Sequence, residues 1–264
     1  MQAIKICALV LLISIFNNTN AYAKLDKELY ESKKCSNVFS HFEQKYKLPP
    51  NILHPISLQE TAKKHSKHEI FIVWPWTVMN NQEGKAYHFK TQQEAVRYVR
   101  GQFIVGNNNL DVGCMQINLK HHPDAFLSLN HAFSPRRNVN YGAYFLSENL
   151  KKLGSIDKAI GRYHSATESL AKKYHSNVIK IKQNMSEYHD KLRYIATISN
   201  HNNNNKYANK YANLYTKDTS KFHNTNLEGD SVYLPESKER PKLVKIKSRN
   251  GRIAGDNWYR RKVN

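Results

Sequence analysis

The composition of the chain changes sharply near Lys191, and this change limits which residues can build a hydrophobic core. From Lys191 to Asn264 there are sixteen Lys and Arg against six Asp and Glu, a run of four asparagines (Asn202–Asn205) and few aliphatic side chains. Such a segment cannot bury enough apolar surface to offset the entropy lost on ordering. We therefore predict a mostly disordered basic tail over residues 191–264 and a folded domain over residues 24–190.

The first residues have the pattern of a secretory signal peptide. Lys5 supplies a positive charge, Ile6–Phe16 is apolar but too short to span a bilayer, and Ala21–Tyr22–Ala23 ends in an A-x-A cleavage site. We predict a signal peptide over residues 1–23, export to the periplasm, and no transmembrane segment after cleavage. The alternative, an uncleaved membrane anchor, fits the short apolar run less well.

Loss of the leader would remove Cys7 and leave Cys35 and Cys114. In an oxidising compartment two cysteines suggest one disulfide, and two buried free thiols are the alternative. The net charge of +20 indicates polyanionic partners. For an exported protein these are membrane surfaces or peptidoglycan with its peptide carboxylates. Nucleic acid is not expected, because no groove-reading motif accompanies the charge.

The spacing of apolar residues predicts a mainly helical domain with one β-hairpin. The helices are expected over Leu25–Tyr46, Asn51–Lys64, Thr91 to about Val105, Pro135 to Gly154, Ser155 to about Tyr163 and Thr167–Tyr188. The hairpin is expected from Ile70–Thr77 and Ala86–Phe89, and Asp111–Asn118 is expected to be a loop.

Glu60 is the main candidate for chemistry. Ile52, Leu53 and Ile56 precede it by eight, seven and four residues, so Glu60 extends the apolar stripe of its predicted helix. A carboxyl group against apolar neighbours resists ionisation, which suits a general acid. The alternative is a solvated glutamate that pairs with Lys64 at i+4.

Further candidates are polar or aromatic. Gln116 and Asn118 carry amides that suit sugar hydroxyl and N-acetyl groups, although such amides often bond only to backbone. Asp111 is either a second carboxylate or a turn cap. Trp74–Pro75–Trp76 either lines a glycan groove or belongs to the core. The thirteen histidines lack metal-ligand spacing, so no metal is assigned.

The order of these motifs resembles the soluble lytic transglycosylase family, whose fold is similar to goose-type lysozyme. The family signatures Glu-Ser, Gly-Leu-Met-Gln and Ala-Tyr-Asn-Ala-Gly match Glu60–Thr61, Gly113–Gln116 and the segment from Tyr163 to Ala166. The resemblance covers roughly Cys35 to Tyr188. The WPWT segment and the Tyr163–His164–Ser165 sequence look like a branch found in exported bacterial proteins.

The resemblance implies a lysozyme-like α+β catalytic domain that is mainly α, with a small inserted hairpin. It implies that Glu60 is the catalytic acid and base, and that peptidoglycan is cleaved without metal or cofactor to a 1,6-anhydromuramyl product. The residues at the family's substrate-binding positions are Thr61, Met115, Gln116, Asn118, Tyr163 and His164. His164 replaces the family's asparagine.

Two alternatives remain open. One is a hydrolytic muramidase on the same fold, in which Asp111 holds a water molecule. The other is a wall-binding or assembly factor, whose basic tail docks on an envelope-spanning secretion machine, on the wall or on anionic lipid.

Overall fold

The computed structural model describes residues 26–201. The predicted signal peptide lies outside them, as does the predicted tail from residue 202 onward. The chain divides into two compact units. Within the described residues, one unit is Glu31–Ser186 and the other contains residues 26–30 and 187–201. No helix in this described part of the chain is both long enough and apolar enough to cross a membrane.

The described residues are mainly helical with small antiparallel sheets, which confirms the predicted fold class. The helices are α1 Lys27–Ser36, α2 Phe39–Lys45, α3 Leu53–Thr61, α4 Gln92–Ile104, α5 Leu129–Ala132, α6 Pro135–Leu153, α7 Ile156–His164, α8 Glu168–Gln183 and α9 Met185–His201. The strands are β1 Lys63–Lys64, β2 Phe71–Ile72, β3 Thr77–Asn80, β4 Lys85–His88, β5 Leu110–Val112 and β6 Ile117–Asn118.

The first predicted helix, over 25–46, is wrong in its continuity, because α1 and α2 are separate helices. At the break, the Val38 N–H donates to the Cys35 carbonyl over three residues, a tightened turn at 3.3 Å. Asn37 lies at this turn, where asparagine is favoured. Apolar periodicity alone does not show such a short interruption.

The predicted hairpin exists, but it begins later than expected. Strands β3 and β4 pair from Thr77↔His88 to Asn80↔Lys85, so Trp74–Pro75–Trp76 precedes the hairpin. The segment predicted as a loop, Asp111–Asn118, instead contributes β5 and β6 to one sheet with strand order β4-β3-β5-β6. These strands are only three and two residues long, too short to show a period of two in the sequence.

The central helices begin and end where the sequence predicts. The Thr91 hydroxyl accepts from the Glu94 N–H at the start of α4, and the Glu94 carboxylate accepts from the Lys90 N–H. Gly154, with φ of 63°, ends α6, and the Ser155 side chain caps α7. Helix α7 packs against both α6 and α8, and α8 packs against α3.

The last predicted helix is divided at Asn184, where α8 ends and α9 begins. Helix α9 continues to His201, so the predicted start of the disordered tail at Lys191 is wrong. The reason is that Leu192 and Ile195, three residues apart, are both buried. The remainder of the predicted tail lies outside the described residues.

Cys35 at the end of α1 and Cys114 in the β5–β6 connection form a disulfide in the structure. Their Cα atoms are 5.9 Å apart, and both side chains are fully buried. The bridge closes a sequence separation of 79 residues, and it joins the first helix of the domain to the turn beside Glu60's helix.

We expect the double variant Cys35→Ser/Cys114→Ser to lose about 4 kcal/mol of unfolding free energy, because the unfolded chain regains its loop entropy. Urea denaturation of the variant and of the wild type measures the loss. The wild type reduced with dithiothreitol serves as the control and should show the same loss. A loss below about 1 kcal/mol in both would contradict a cross-linking role.

Candidate active site

Glu60 lies near the end of α3, on the apolar side of that helix. Ile52, Leu53 and Ile56 are buried, as the predicted stripe requires, and Glu60 itself is half-buried. The alternative partner Lys64 forms an ion pair with Glu69 at 2.9 Å instead. Glu60 is therefore not a solvated member of a surface ion pair.

The environment of Glu60 favours its protonated form. Burial is the main cause that raises its pKa from 4.5 to about 7, and the nearby Asp111 carboxylate raises it further. A hydrogen bond from Tyr174 acts in the opposite direction. Near neutral pH the group can therefore both give and take a proton, as acid and base catalysis requires.

Tyr174 hydrogen-bonds directly to Glu60, a contact that the sequence did not predict. Its hydroxyl donates to Glu60 Oε1 at 2.5 Å from helix α8. The ring of His164 stacks on Tyr174 with centroids 4.8 Å apart and planes 2° apart. Residues 60 and 174 are 114 positions apart, so no local pattern indicates the contact. The sequence showed Tyr174 only as part of a helix.

Helix α3, which carries Glu60, is held at its start by the carboxylate of Glu43. Glu43 accepts from the N–H groups of Asn51, Ile52 and Leu53 at 3.0, 2.8 and 2.8 Å. Ile52 provides no side-chain cap, so Glu43 from α2 satisfies these donors in its place. Pro55 lies in the first turn of α3, where a proline costs few backbone hydrogen bonds.

The turn between β5 and β6 is positioned by Asn138 of α6. Asn138 accepts from the Met115 N–H at 2.7 Å and donates to the carbonyls of Val112 and Ala132 at 2.9 Å each. Gly113 has φ of 78°, and a Cβ there would lie 2.4 Å from Asn138 Nδ2. Glycine is therefore required at this position.

A second contact connects this turn to helix α3. The Ser57 hydroxyl donates to the Cys114 carbonyl at 2.7 Å, within the buried interior. Ser57 lies on α3, one turn before Glu60. The turn and the acid are thus fixed relative to each other by a short buried hydrogen bond.

Gln116 and Tyr163 both contact the β5–β6 turn. Gln116 adopts φ of 45° and donates to the carbonyls of Thr77 and Gly113. Its Oε1 accepts no hydrogen bond from the described residues and is free for a ligand's N–H or O–H. The Tyr163 hydroxyl donates to the Met115 carbonyl at 2.9 Å. Burial, then the Glu60 charge, raises the pKa of Tyr163 well above its usual value.

Asp111 lies on β5 within electrostatic reach of Glu60. Its two oxygens accept from Asn81 at 3.0 Å and from Asn118 at 2.6 Å. Burial raises the pKa of Asp111, and these hydrogen bonds lower it. Asn118 also donates to Asn109, and its own oxygen accepts two backbone N–H groups, so its amide is used within the protein.

The other predicted site residues divide into interior and surface positions. Thr61 is buried, and its hydroxyl donates to the Ser57 carbonyl and accepts from the Trp74 N–H. The Met115 side chain is fully buried, and its backbone carbonyl accepts the Tyr163 hydrogen bond. His164 is exposed.

The tryptophans of the WPWT segment belong to the core rather than to a glycan groove. Trp74 and Trp76 are 4% and 3% exposed. The Trp74 indole donates to the Phe89 carbonyl at 2.7 Å, and the Trp76 indole donates to Glu31 at 2.9 Å. Their role is to anchor the hairpin against the domain.

A cavity of about 270 Å³ lies apart from this site. It is lined by residues of α4, α5 and the segment after β6, with Phe103, Leu119, His122, Phe126 and Leu129 among them. Neither Glu60 nor Tyr163 lines it. The candidate active site is therefore defined by its side-chain geometry and not by this cavity.

The raised pKa of Glu60 predicts how stability changes with pH. The native state keeps a proton that the unfolded chain releases near pH 4.5, so stability falls as the pH rises from about 4.5 to about 7. Relative to the wild type, Glu60→Gln should gain up to about 3 kcal/mol at pH 8 and little at pH 4. Urea denaturation across this range measures the difference. A pH-independent difference would contradict the raised pKa.

In Tyr174→Phe, the fall of stability with pH should continue to a higher pH than in the wild type. The reason is that this variant lacks the hydrogen bond that lowers the pKa of Glu60. The ring and its stacking on His164 remain. Tyr163→Phe is the matched control, since its hydroxyl bonds to Met115 and not to Glu60. An equal or larger shift to higher pH in Tyr163→Phe would show that the Tyr174 hydrogen bond has no specific effect on the pKa of Glu60.

Comparison with protein-family models matches residues 37–186 to the transglycosylase SLT domain, more than half of the 264 residues. This range contains Glu60, the β5–β6 turn, Tyr163 and Tyr174. Comparisons with curated proteins and with solved structures found no match. The match confirms the resemblance seen in the sequence motifs and supports an activity of the lytic transglycosylase type on peptidoglycan. The chain belongs to the transglycosylase SLT domain family.

Proposed function

We propose that the chain is a lytic transglycosylase that cleaves the β-1,4 bond between N-acetylmuramic acid and N-acetylglucosamine, with Glu60 as the acid and then the base. The observation that carries the proposal is the half-buried Glu60 carboxyl with a pKa of about 7. At neutral pH a large fraction of the protein holds the proton that the leaving sugar oxygen needs.

The reaction proceeds in two proton transfers. Glu60 gives its proton to the glycosidic oxygen as the bond to the muramyl C1 breaks, and the substrate's own N-acetyl group shares the positive charge that develops. The muramyl C6 hydroxyl then bonds to C1 and closes the 1,6-anhydro ring, and its proton returns to Glu60. A single carboxylate is sufficient because the substrate supplies the second function, an exception to the two-carboxylate rule.

Tyr174 assists the middle of this cycle. While Glu60 is ionised, the Tyr174 hydroxyl at 2.5 Å stabilises the carboxylate in a poorly solvated position. The same hydrogen bond fixes the direction in which the carboxyl group points. Gln116 Oε1 is suited to accept a hydrogen bond from a sugar N–H or O–H.

The nearest alternative is a hydrolytic muramidase, in which Asp111 holds an attacking water molecule. Both Asp111 oxygens already accept amide hydrogens from Asn81 and Asn118, which favours a structural role. The products distinguish the two reactions, because hydrolysis gives a reducing end one water heavier than the anhydro product.

The site of action and further partners remain proposals. A periplasmic location fits a peptidoglycan substrate and the predicted signal peptide. Docking of the tail on a secretion machine stays a prediction, because the tail beyond His201 lies outside the described residues.

Glu60→Gln should reduce the release of anhydromuropeptides from purified wall by roughly 100- to 10,000-fold, since it removes the only acid of the mechanism. Mass spectrometry of the soluble products measures this release. Glu69→Gln is the matched control, because Glu69 is a surface glutamate whose side chain is 88% exposed. Undiminished release by the Glu60 variant would refute the proposal, and water-heavier products would favour the muramidase.

A further inference from the structure

A cluster of two cationic side chains and one histidine lies on α2 and the first turn of α6. It consists of His41, Lys45 and Arg136, and we call it the cationic cluster. The Arg136 guanidinium carbon is 5.4 Å from the ring centroid of Phe42, and Lys45 Nζ is 5.8 Å from the same centroid. Two positive groups therefore converge on one buried aromatic ring.

No carboxylate of the described residues neutralises this cluster. None of its members forms an ion pair within residues 26–201. Lys45 donates to the neutral Asn140 Oδ1 at 3.2 Å, and Arg136 Nε is buried without a hydrogen-bond partner. Burial, followed by the charge of Arg136, lowers the pKa of Lys45. The same causes, together with the charge of Lys45, lower the pKa of His41.

The costly member of this cluster is Arg136, whose Nε is buried without a partner, whereas His41 and Lys45 are exposed. Like charges in close proximity repel, and an unpaired buried N–H loses its hydration without compensation. A guanidinium group has donors in a fixed fork that matches the two oxygens of a carboxylate. The chemistry of the cationic cluster therefore suits a carboxylate ligand.

A row of aromatic rings connects the cationic cluster to the candidate active site. Successive ring centroids are 5.3 Å apart for Tyr163–Phe145, 4.8 Å for Phe145–His122, 5.5 Å for His122–Tyr141, 6.0 Å for Tyr141–Tyr144 and 6.1 Å for Tyr144–Tyr46. Lys45 Nζ lies 5.2 Å from the centroid of Tyr46. All of these rings are half-buried, so each keeps some surface toward solvent.

We propose that the cationic cluster binds the carboxylates of the peptide stems of peptidoglycan, so that the preferred substrate is peptide-bearing rather than bare glycan. This inference rests on the proposed function. Peptidoglycan carries groups that complement both parts of this surface. Its sugar rings can contact the aromatic faces, and its peptide carboxylates can pair with the cations. A five-residue peptide extends up to about 17 Å, so a stem reaches beyond the sugar that bears it.

The test compares binding to two forms of the same wall. The chain carrying Glu60→Gln, which prevents turnover, is titrated with peptide-bearing glycan strands and with strands whose peptides an amidase has removed. Adding Lys45→Gln and Arg136→Gln should weaken binding to the peptide-bearing strands by about fivefold or more. Binding to the bare strands should change by less than about twofold, which also shows that the variant is folded.

The matched control adds Lys152→Gln and Lys158→Gln, two exposed lysines of α6 and α7, and so removes the same charge. An equal loss of binding to the peptide-bearing strands in this control would show that only net charge matters, and it would overturn the proposal. Equal loss on both kinds of strand, or no loss on either, would also overturn it. A loss of binding confined to vesicles containing phosphatidylglycerol would assign the cluster to a lipid surface instead.

The outcome is separable from the proposed activity. If peptide-dependent binding is found while the wild-type chain releases no fragments, the catalytic assignment fails and the cationic cluster stands as a binding site. If the wild type releases anhydro products but the cluster variant binds both strands normally, the activity stands and this inference fails.

Discussion

Two opposing effects set the pKa of Glu60, and the proposed mechanism depends on their balance: burial of the carboxyl group and a hydrogen bond from Tyr174. Burial raises the pKa of the carboxyl to about 7, and the Tyr174 hydroxyl at 2.5 Å limits the rise. Without burial the group would be ionised at neutral pH and would have no proton to give. Without the hydrogen bond the pKa would rise further, and less of the carboxylate form that serves as the proposed base would be present near neutral pH.

The rest of the domain holds the Glu60 helix and the β5–β6 turn in position. Glu43 holds the start of α3, and Ser57 on that helix donates to the Cys114 carbonyl. Asn138 of α6 fixes the β5–β6 turn that contains Cys114, and Gly142 allows α6 to approach this turn closely. A Cβ at Gly142 would lie 2.7 Å from Met115 Cβ and 2.9 Å from the Tyr163 hydroxyl. Close packing from three directions therefore defines the site.

Local signals in the sequence predicted local structure well. The spacing of Ile52, Ile56 and Glu60 placed the acid on the buried side of its helix. The helix start at Thr91 and the Gly154–Ser155 boundary were predicted correctly because each depends on neighbouring residues only.

The errors share a different physical origin. Strand β5 forms because β3 offers it a partner, with Val78 opposite Val112, and β5 in turn pairs with β6. Strands of three and two residues have too few side chains to show their period. The Tyr174–Glu60 contact joins two helices far apart in sequence, so neither helix indicates it alone. Trp74 and Trp76 were ambiguous in sequence, because the same rings serve a core or a sugar groove.

The protonation state of Glu60 tests the account most directly. A ¹³C NMR titration of its carboxyl carbon in the wild-type chain, assigned by comparison with Glu60→Gln, measures the pKa in the folded protein. We expect a midpoint of about 7. A midpoint near 4.5, the ordinary value for a solvated glutamate, would contradict the proposed acid and the mechanism built on it.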